Sequence, residues 1–331
     1  MLRCLPLLIS ILASPPQEPP RPSVLVVVGA AGEEQYAPQF REWAGRWRTA
    51  AEKGKANFEV IGLEPEAATK DRDLLQTALK RFEGETKTEL WIILIGHGTW
   101  DGKVAKFNLR GPDIAATELG DWLSPLTRPI AVINCASASS PFMTSLAGPN
   151  RVLITSTRAG AEHNFSRFGD YLSKSITDPA ADLDKDEQTS LLEAFLAATA
   201  GVREFYTSEI RLATEHALLD DNGDGKGTPA EWFSGLRATK SPKEGALDGL
   251  FASQWRLVPS AREEKLTPEA RQRRDAIEKE LAKLRIAKSK LTEDDYIKQI
   301  EPLLLELAKI YSVADAPPTK AAPGADPFGK P

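Results

Sequence analysis

Short apolar runs recur along the first half of the chain, each stopping at small or polar residues. Ser23 to Gly29, Asn57 to Leu63, Trp91 to Ile95, Ile130 to Ile133 and Arg151 to Thr157 read as strands. The runs at Trp91 and Ile130 show no polar alternation, as central strands of a parallel sheet buried on both faces do. Helical spacing fills the gaps at Tyr36–Lys53, Lys70–Phe82, Thr117–Leu126 and Phe165–Ile176. This alternation predicts a doubly wound α/β sandwich with a mostly parallel central sheet. Asp101-Gly102, between two short runs in Thr99–Gly111, predicts a hairpin. Ser139 or Ser140, with Pro141 in the first turn, predicts a helix start, and Leu191 to about Leu218 a longer helix. Further on, Thr267-Pro268-Glu269 and Thr292 to Asp295 start two amphipathic helices. Ala270, Ile277, Leu281 and Leu284 share a face of the first, and Ile297, Ile300, Leu303, Leu304 and Leu307 a face of the second. They predict an antiparallel, coiled-coil-like hairpin over 261–313 that docks on the sheet domain or on a protein partner. The Pro-, Ala- and Gly-rich tail, 314–331, is expected to be disordered.

Two of the predicted strands end in residues that carry chemistry. Trp91 to Ile95 stops at Gly96-His97-Gly98, and Ile130 to Ile133 at Asn134-Cys135 followed by small residues to Ser140. Parallel sheets place their sites outside the carboxyl ends of the strands. A thiol and an imidazole at neighbouring ends are what a cysteine nucleophile needs: a thiolate, and an acid for the leaving amine. A helix beginning just beyond Cys135 would favour the thiolate. The alternative is a small core cysteine beside a Gly-His-Gly turn. Scarcity favours the pair, since the chain has three histidines and two cysteines.

At these residues, from about Val24 to Ile176, the sequence resembles the caspase-like clan of cysteine peptidases, and within it the legumain family. The shared pattern is an apolar strand closing in His-Gly (Ile92 to Gly98) and a later one closing in Cys (Ile130 to Cys135). The resemblance implies a caspase-like three-layer sandwich over 23–260, a His97–Cys135 dyad, and an oxyanion hole made by the Gly98 and Cys135 amides. It also implies a peptide or protein substrate. Gly169-Asp170-Tyr171 matches the legumain Gly-Asp-aromatic, whose Asp helps to form the primary pocket. Ile133 stands where legumains carry an acid, and Tyr36-Ala37-Pro38-Gln39 where they carry Arg-His. An unpaired Asp170, with Glu33 and Glu34 adding negative potential, leads us to expect cleavage after Arg or Lys rather than Asn. Two other readings stay open: an inactive relative serving as a binding scaffold, and a hydrolase or acyltransferase acting on something other than peptides.

Charge and the chain ends refine this. The net charge of −5, without a basic stripe, gives no reason to expect nucleic-acid binding. Met1 to Arg3 and the apolar Cys4–Ala13 read as a secretory signal followed by a Pro-rich linker to residue 22, which predicts a secreted or periplasmic protein. Cleavage near Ala13 would leave Cys135 as the one thiol, unable to form an internal disulfide. Asp182, Asp184, Asp186, Ser190 and Glu193 hold positions 1, 3, 5, 9 and 12 of a calcium-type loop, and Asp220, Asn222, Asp224, Thr228 and Glu231 repeat the spacing. Gly225 at the sixth position, where the loop must turn, makes the second loop the stronger candidate for a structural Ca2+; the first has Glu187 there.

Overall fold

The computed structural model describes residues 21–65 and 69–315. The expected signal, residues 1–13, and the tail from residue 316 lie outside the described residues. The chain opens with β1 (Ser23–Val28), α1 (Tyr36–Lys53), β2 (Asn57–Ile61), α2 (Asp71–Arg81) and β3 (Leu90–Ile95). A small antiparallel sheet comes next, β4 (Gly98–Trp100), β5 (Ala105–Phe107) and β6 (Ile114–Ala115), with Gly102 at φ +95° in the turn that Asp101-Gly102 predicted. Then come α3 (Ala116–Leu123), β7 (Ile130–Asn134), α4 (Ser140–Leu146), β8 (Arg151–Thr155), α5 (Phe168–Ser175) and α6 (Leu191–Ser208). The main sheet has the order β2-β1-β3-β7-β8, all parallel, and continues through the antiparallel β9 (Leu218–Asp220) and β10 (Thr228–Pro229).

Side-chain alternation on these strands builds two cores. Val24, Val26, Trp91, Ile93, Ile133 and Ile154 face the layer of α1, α5 and α6. Leu25, Val27, Ile92, Leu94, Val132 and Leu153 face the layer of α2, α3 and α4. The uniform apolar runs thus reflect burial on both faces. The largest anchors are aromatic: Trp47 and Trp91 are fully buried with ring centroids 6.3 Å apart. Truncating such a side chain to Ala costs about 3–5 kcal/mol.

Two predicted helices are shorter than expected. The helix from Leu191 ends at Ser208, because Ile210 turns left-handed (φ +53°) and the Arg211 amide closes onto the Tyr206 carbonyl at 2.9 Å. Leu218 and Leu219 extend the sheet instead, Leu219 being fully buried there. The helix expected from Phe165 begins at Phe168, since the Arg167 and Phe168 amides donate to the Glu215 carboxylate.

The rest of the chain forms a ribbon, β11 (Phe233–Ser234) with β12 (Arg237–Ala238), then α7 (Ala261–Glu264), α8 (Pro268–Ala287) and α9 (Glu293–Asp315). Thr267 caps α8 through the Ala270 amide, and Arg273 grips Glu306 of α9 at 2.7 Å in an antiparallel hairpin. It docks at the amino end of the sheet: Lys55, just before β2, pairs with Glu264, and Gln254 donates to the Asp275 carbonyl at 2.9 Å.

Candidate active site

Cys135 and His97 follow adjacent strands, at the carboxyl edge of the sheet. Parity turns both toward the α1–α5 layer: Ile133 and Cys135 share one core, as do Ile93 and Ile95 before His97. The His97 Nε2–H donates to the Ala31 carbonyl at 3.0 Å, from the glycine-containing turn after β1, where Gly32 takes φ +70°. A carbonyl only accepts, so Nε2 carries the proton and Nδ1 is the basic nitrogen of the neutral ring. Three rings box the imidazole: Tyr36 at 5.0 Å, Phe40 at 5.4 Å and Phe165 at 5.9 Å between centroids.

Cys135 departs from the expected chemistry. It is 1% exposed, and no hydrogen bond joins its thiol to His97. A Cβ added at Gly169 would lie 2.8 Å from Cys135 Cβ and 2.7 Å from Trp43, so glycine is required there to seat the cysteine. Burial, and secondly the Glu215 charge, push the thiol pKa far above its ordinary value. The expected helix effect does not reverse this. α4 starts five residues on, and Ser139, at its cap position, spends its hydroxyl on Ser156 and Thr157 rather than on the helix amides.

The expected oxyanion hole is not formed. The Cys135 amide continues the β3–β7 ladder, donating to the Leu94 carbonyl at 2.9 Å. The Gly98 amide donates to Ser137 Oγ at 3.2 Å, and that hydroxyl donates back to the Gly98 carbonyl at 3.1 Å. Beyond it, Ala138 sits at φ +51° and its amide is held by the Glu162 carbonyl at 2.8 Å. The Glu162 carboxylate binds His216 Nδ1 at 2.7 Å and the Arg158 amide at 3.0 Å. Ser137, Glu162, Glu215 and His216 escaped sequence reasoning. The chain's small-residue run gave a hint of Ser137, but only the fold brings Glu162 and His216, 54 positions apart, together.

The pocket assignment for Asp170 is corrected. Its carboxylate pairs with Arg46 of α1 at 2.6 Å and with Lys174 at 2.7 Å. Burial pushes its pKa up, but these bonds outweigh it and hold the carboxyl below its usual range. It clamps α1 to α5 and is not the unpaired acceptor on which the expected preference for Arg or Lys rested. Glu33 and Glu34 are exposed on the turn that presents Ala31 to His97, where Glu33 accepts from Gln35.

The two acidic loops are bound differently. In the first, carboxylate oxygens of Asp182, Asp184 and Glu193 lie within 4.8 Å of one another. Glu193 accepts from Ser190 and from the Leu183 amide, while Asp186 faces Arg256 at 3.5 Å. In the second, Asp220 receives the Gly223 and Gly225 amides, but Glu231 is exposed on a 3-10 turn and lines a cavity with Ala230 and Phe233. Asp248, which the spacing could not reveal, packs against this loop instead, accepting from Thr228 at 2.6 Å and from Asn222 at 2.7 Å. The ligand assignment of Glu231 is therefore corrected.

No family model matches the sequence, and no curated protein matches it. Among solved structures, the Drosophila initiator caspase Dronc is similar at 12% identity and a TM-score of 0.43, over 62% of this chain and 81% of that one. A Geobacter sulfurreducens protein is similar at 13% identity and 0.37, over 61% and 93%. Chaetomium thermophilum Raptor is similar at 8% and 0.34, over 50% and 18%. The finer likeness to legumains rests on the sequence motifs.

Proposed function

We propose that the chain is a non-catalytic, protein- or peptide-binding module built on a cysteine-peptidase type of scaffold. One observation carries this: both amides that would hold an oxyanion are already spent, Cys135 in the sheet ladder and Gly98 on Ser137. Preorganised donors usually contribute more to acyl-transfer catalysis than any other effect, and removing one costs about 2.7–4 kcal/mol in the barrier. A buried thiol with a raised pKa adds to the deficit. A thiol-reactive peptide ketone tests the reading. Cys135 is expected to stay unlabelled in the folded protein and to react once it is denatured.

A second reading, a peptidase whose resting site is closed, draws on the Nε2–H···O bond to Ala31, which leaves Nδ1 as a positioned base. It requires rapid labelling of Cys135 that disappears in His97→Ala, and peptide turnover lost in Cys135→Ser. Either result would replace the binding module with an enzyme. The proposal takes the module to be extracytoplasmic, on the strength of residues 1–13, and to hold a structural Ca2+ in its first acidic loop.

A further inference from the structure

The first acidic loop, 182–193, is tied to the helical hairpin through the short segment 254–260. Three contacts run from the loop into that segment. The Leu191 amide donates to the Trp255 carbonyl at 2.8 Å, the Ser260 amide donates to Gln188 Oε1 at 3.1 Å, and Arg256 Nη2 faces Asp186 at 3.5 Å. The segment passes these ties on. Ser260 caps α7 through the Glu263 amide, and Glu263 pairs with Arg274 of α8. Gln254 donates to the Asp275 carbonyl at 2.9 Å and to Glu278 at 3.1 Å, both on α8.

Two observations point to a cation as the group that fixes this loop. Side-chain cations already reach its oxygens: Lys185 Nζ donates to the Asp182 carbonyl at 2.6 Å, and the Arg256 guanidinium meets Asp186. Arg256 is only 10% exposed, yet its Nε and Nη1 have no acceptor among the described residues. A buried guanidinium left two donors short is loosely held. The second observation is register. Gln188 stands seventh in the loop, where calcium-type loops ligate through the backbone carbonyl. The residue at that position is the one whose side chain holds Ser260. Across a cavity of about 820 Å3, which Arg256 and Asp184 also line, lies Glu278 of α8. Burial pushes its carboxyl up, and the Gln254 bond and then the Arg256 charge oppose that.

We infer that Ca2+ in the first acidic loop locks the helices α7 to α9 onto the sheet domain. The ion fixes the Gln188 carbonyl, and with it the side chain that holds Ser260. It also takes the Asp186 carboxylate from Arg256, which turns to Glu278 on α8. Both changes tighten the dock, and by linkage the docked hairpin tightens the ion by the same factor. This rests on the calcium part of the proposed function and adds what the ion regulates.

The test uses the full chain in Ca2+ or in EDTA, with binding read by calorimetry and docking by hydrogen exchange. Saturating Ca2+ should slow exchange in the middle of α8 at least about fivefold more than in α2. Gln188→Ala and Glu278→Gln should keep the Ca2+ heat and lose most of that slowing. Gln254→Ala cuts both bonds to α8 without touching the loop, so it should speed α8 exchange and weaken Ca2+ about threefold or more. Ca2+ binding that leaves α8 exchange unchanged, slowing that survives both Gln188→Ala and Glu278→Gln, or an affinity indifferent to Gln254→Ala would overturn the coupling and leave the calcium reading standing. Absence of a Ca2+ heat would remove both.

Discussion

The two acidic loops share a spacing and nearly a backbone, yet they end differently. Asp182, which also accepts the Asp186 amide, and Asp220 each accept the amides of the fourth and sixth residues of their loops: Lys185 and Glu187 in one, Gly223 and Gly225 in the other. Those four residues all take positive φ, from +63° to +80°. Glycine at the sixth position favours the second loop on sequence grounds, but the structure gives the first the tighter carboxylate cluster. The difference lies in the element that each loop runs into. Ser190 and Glu193 form a capping box at the start of α6, which turns Glu193 back onto its loop. The second loop leads into β10 and a 3-10 turn, so Glu231 swings outward. Whether the twelfth residue turns back onto its loop follows here from a helix beginning there, more than from ease of turning.

The largest test of this contrast is a pair of substitutions. Glu193→Ala should cost about 2–3 kcal/mol, because a buried carboxylate with four donors is lost together with the cap. Glu231→Ala should lie within about 0.5 kcal/mol of wild type. Urea unfolding measures both, and equal losses would dissolve the distinction. Next comes the cation itself. At a free Ca2+ concentration about 100 times its Kd, binding would add about 2.7 kcal/mol, raising the melting temperature by several degrees over EDTA. That rise should survive Glu231→Ala and vanish in Glu193→Ala; a rise that tracks Glu231 would assign calcium to the other loop.

A smaller effect is expected with pH. Burial, reinforced by Asp221 and Asp220, pushes the Asp248 carboxyl up to about 8. Unfolded, it releases its proton near about 4. Between those values the native state binds more protons, so stability in EDTA should fall as pH rises from about 4 to about 8. Asp248→Asn should flatten that slope in thermal melts, and an unchanged slope would place its origin elsewhere. The smallest effect is Glu187→Gly. Relieving a left-handed glutamate should add about 1 kcal/mol, less what glycine costs in unfolded-state entropy, and urea unfolding reads the difference.

What the chain disclosed about itself comes down to locality. The strands at Val24, Trp91 and Ile130 were legible because burial on both faces leaves an unbroken apolar run. β9 and β10 were not, since two- and three-residue strands carry no period and Leu218 also fits the helical spacing that precedes it. His97 and Cys135 stood out by type and by their place at strand ends. That no hydrogen bond joins them, and that Ser137 bridges the Gly98 amide and carbonyl, follows from how the strand ends and their loops pack, which no spacing encodes. Asp170 shows the same limit: motif position marked it, but Arg46 lies 124 residues away and claims it.

The β3–β7 ladder runs on through Cys135 rather than stopping before it. Its amide hydrogen lies between the two most central strands, under fully buried neighbours. Isotope exchange there must wait for the middle of the sheet to part, the rarest excursion available to the molecule. The residue that the sequence marks as most reactive would then be among the last to trade its hydrogen with water. At the sheet's corner, the amides around Ile210 are bonded only within their own exposed turn and would trade far sooner. One fold thus carries a slow clock at the strand end and a faster one at the corner turn.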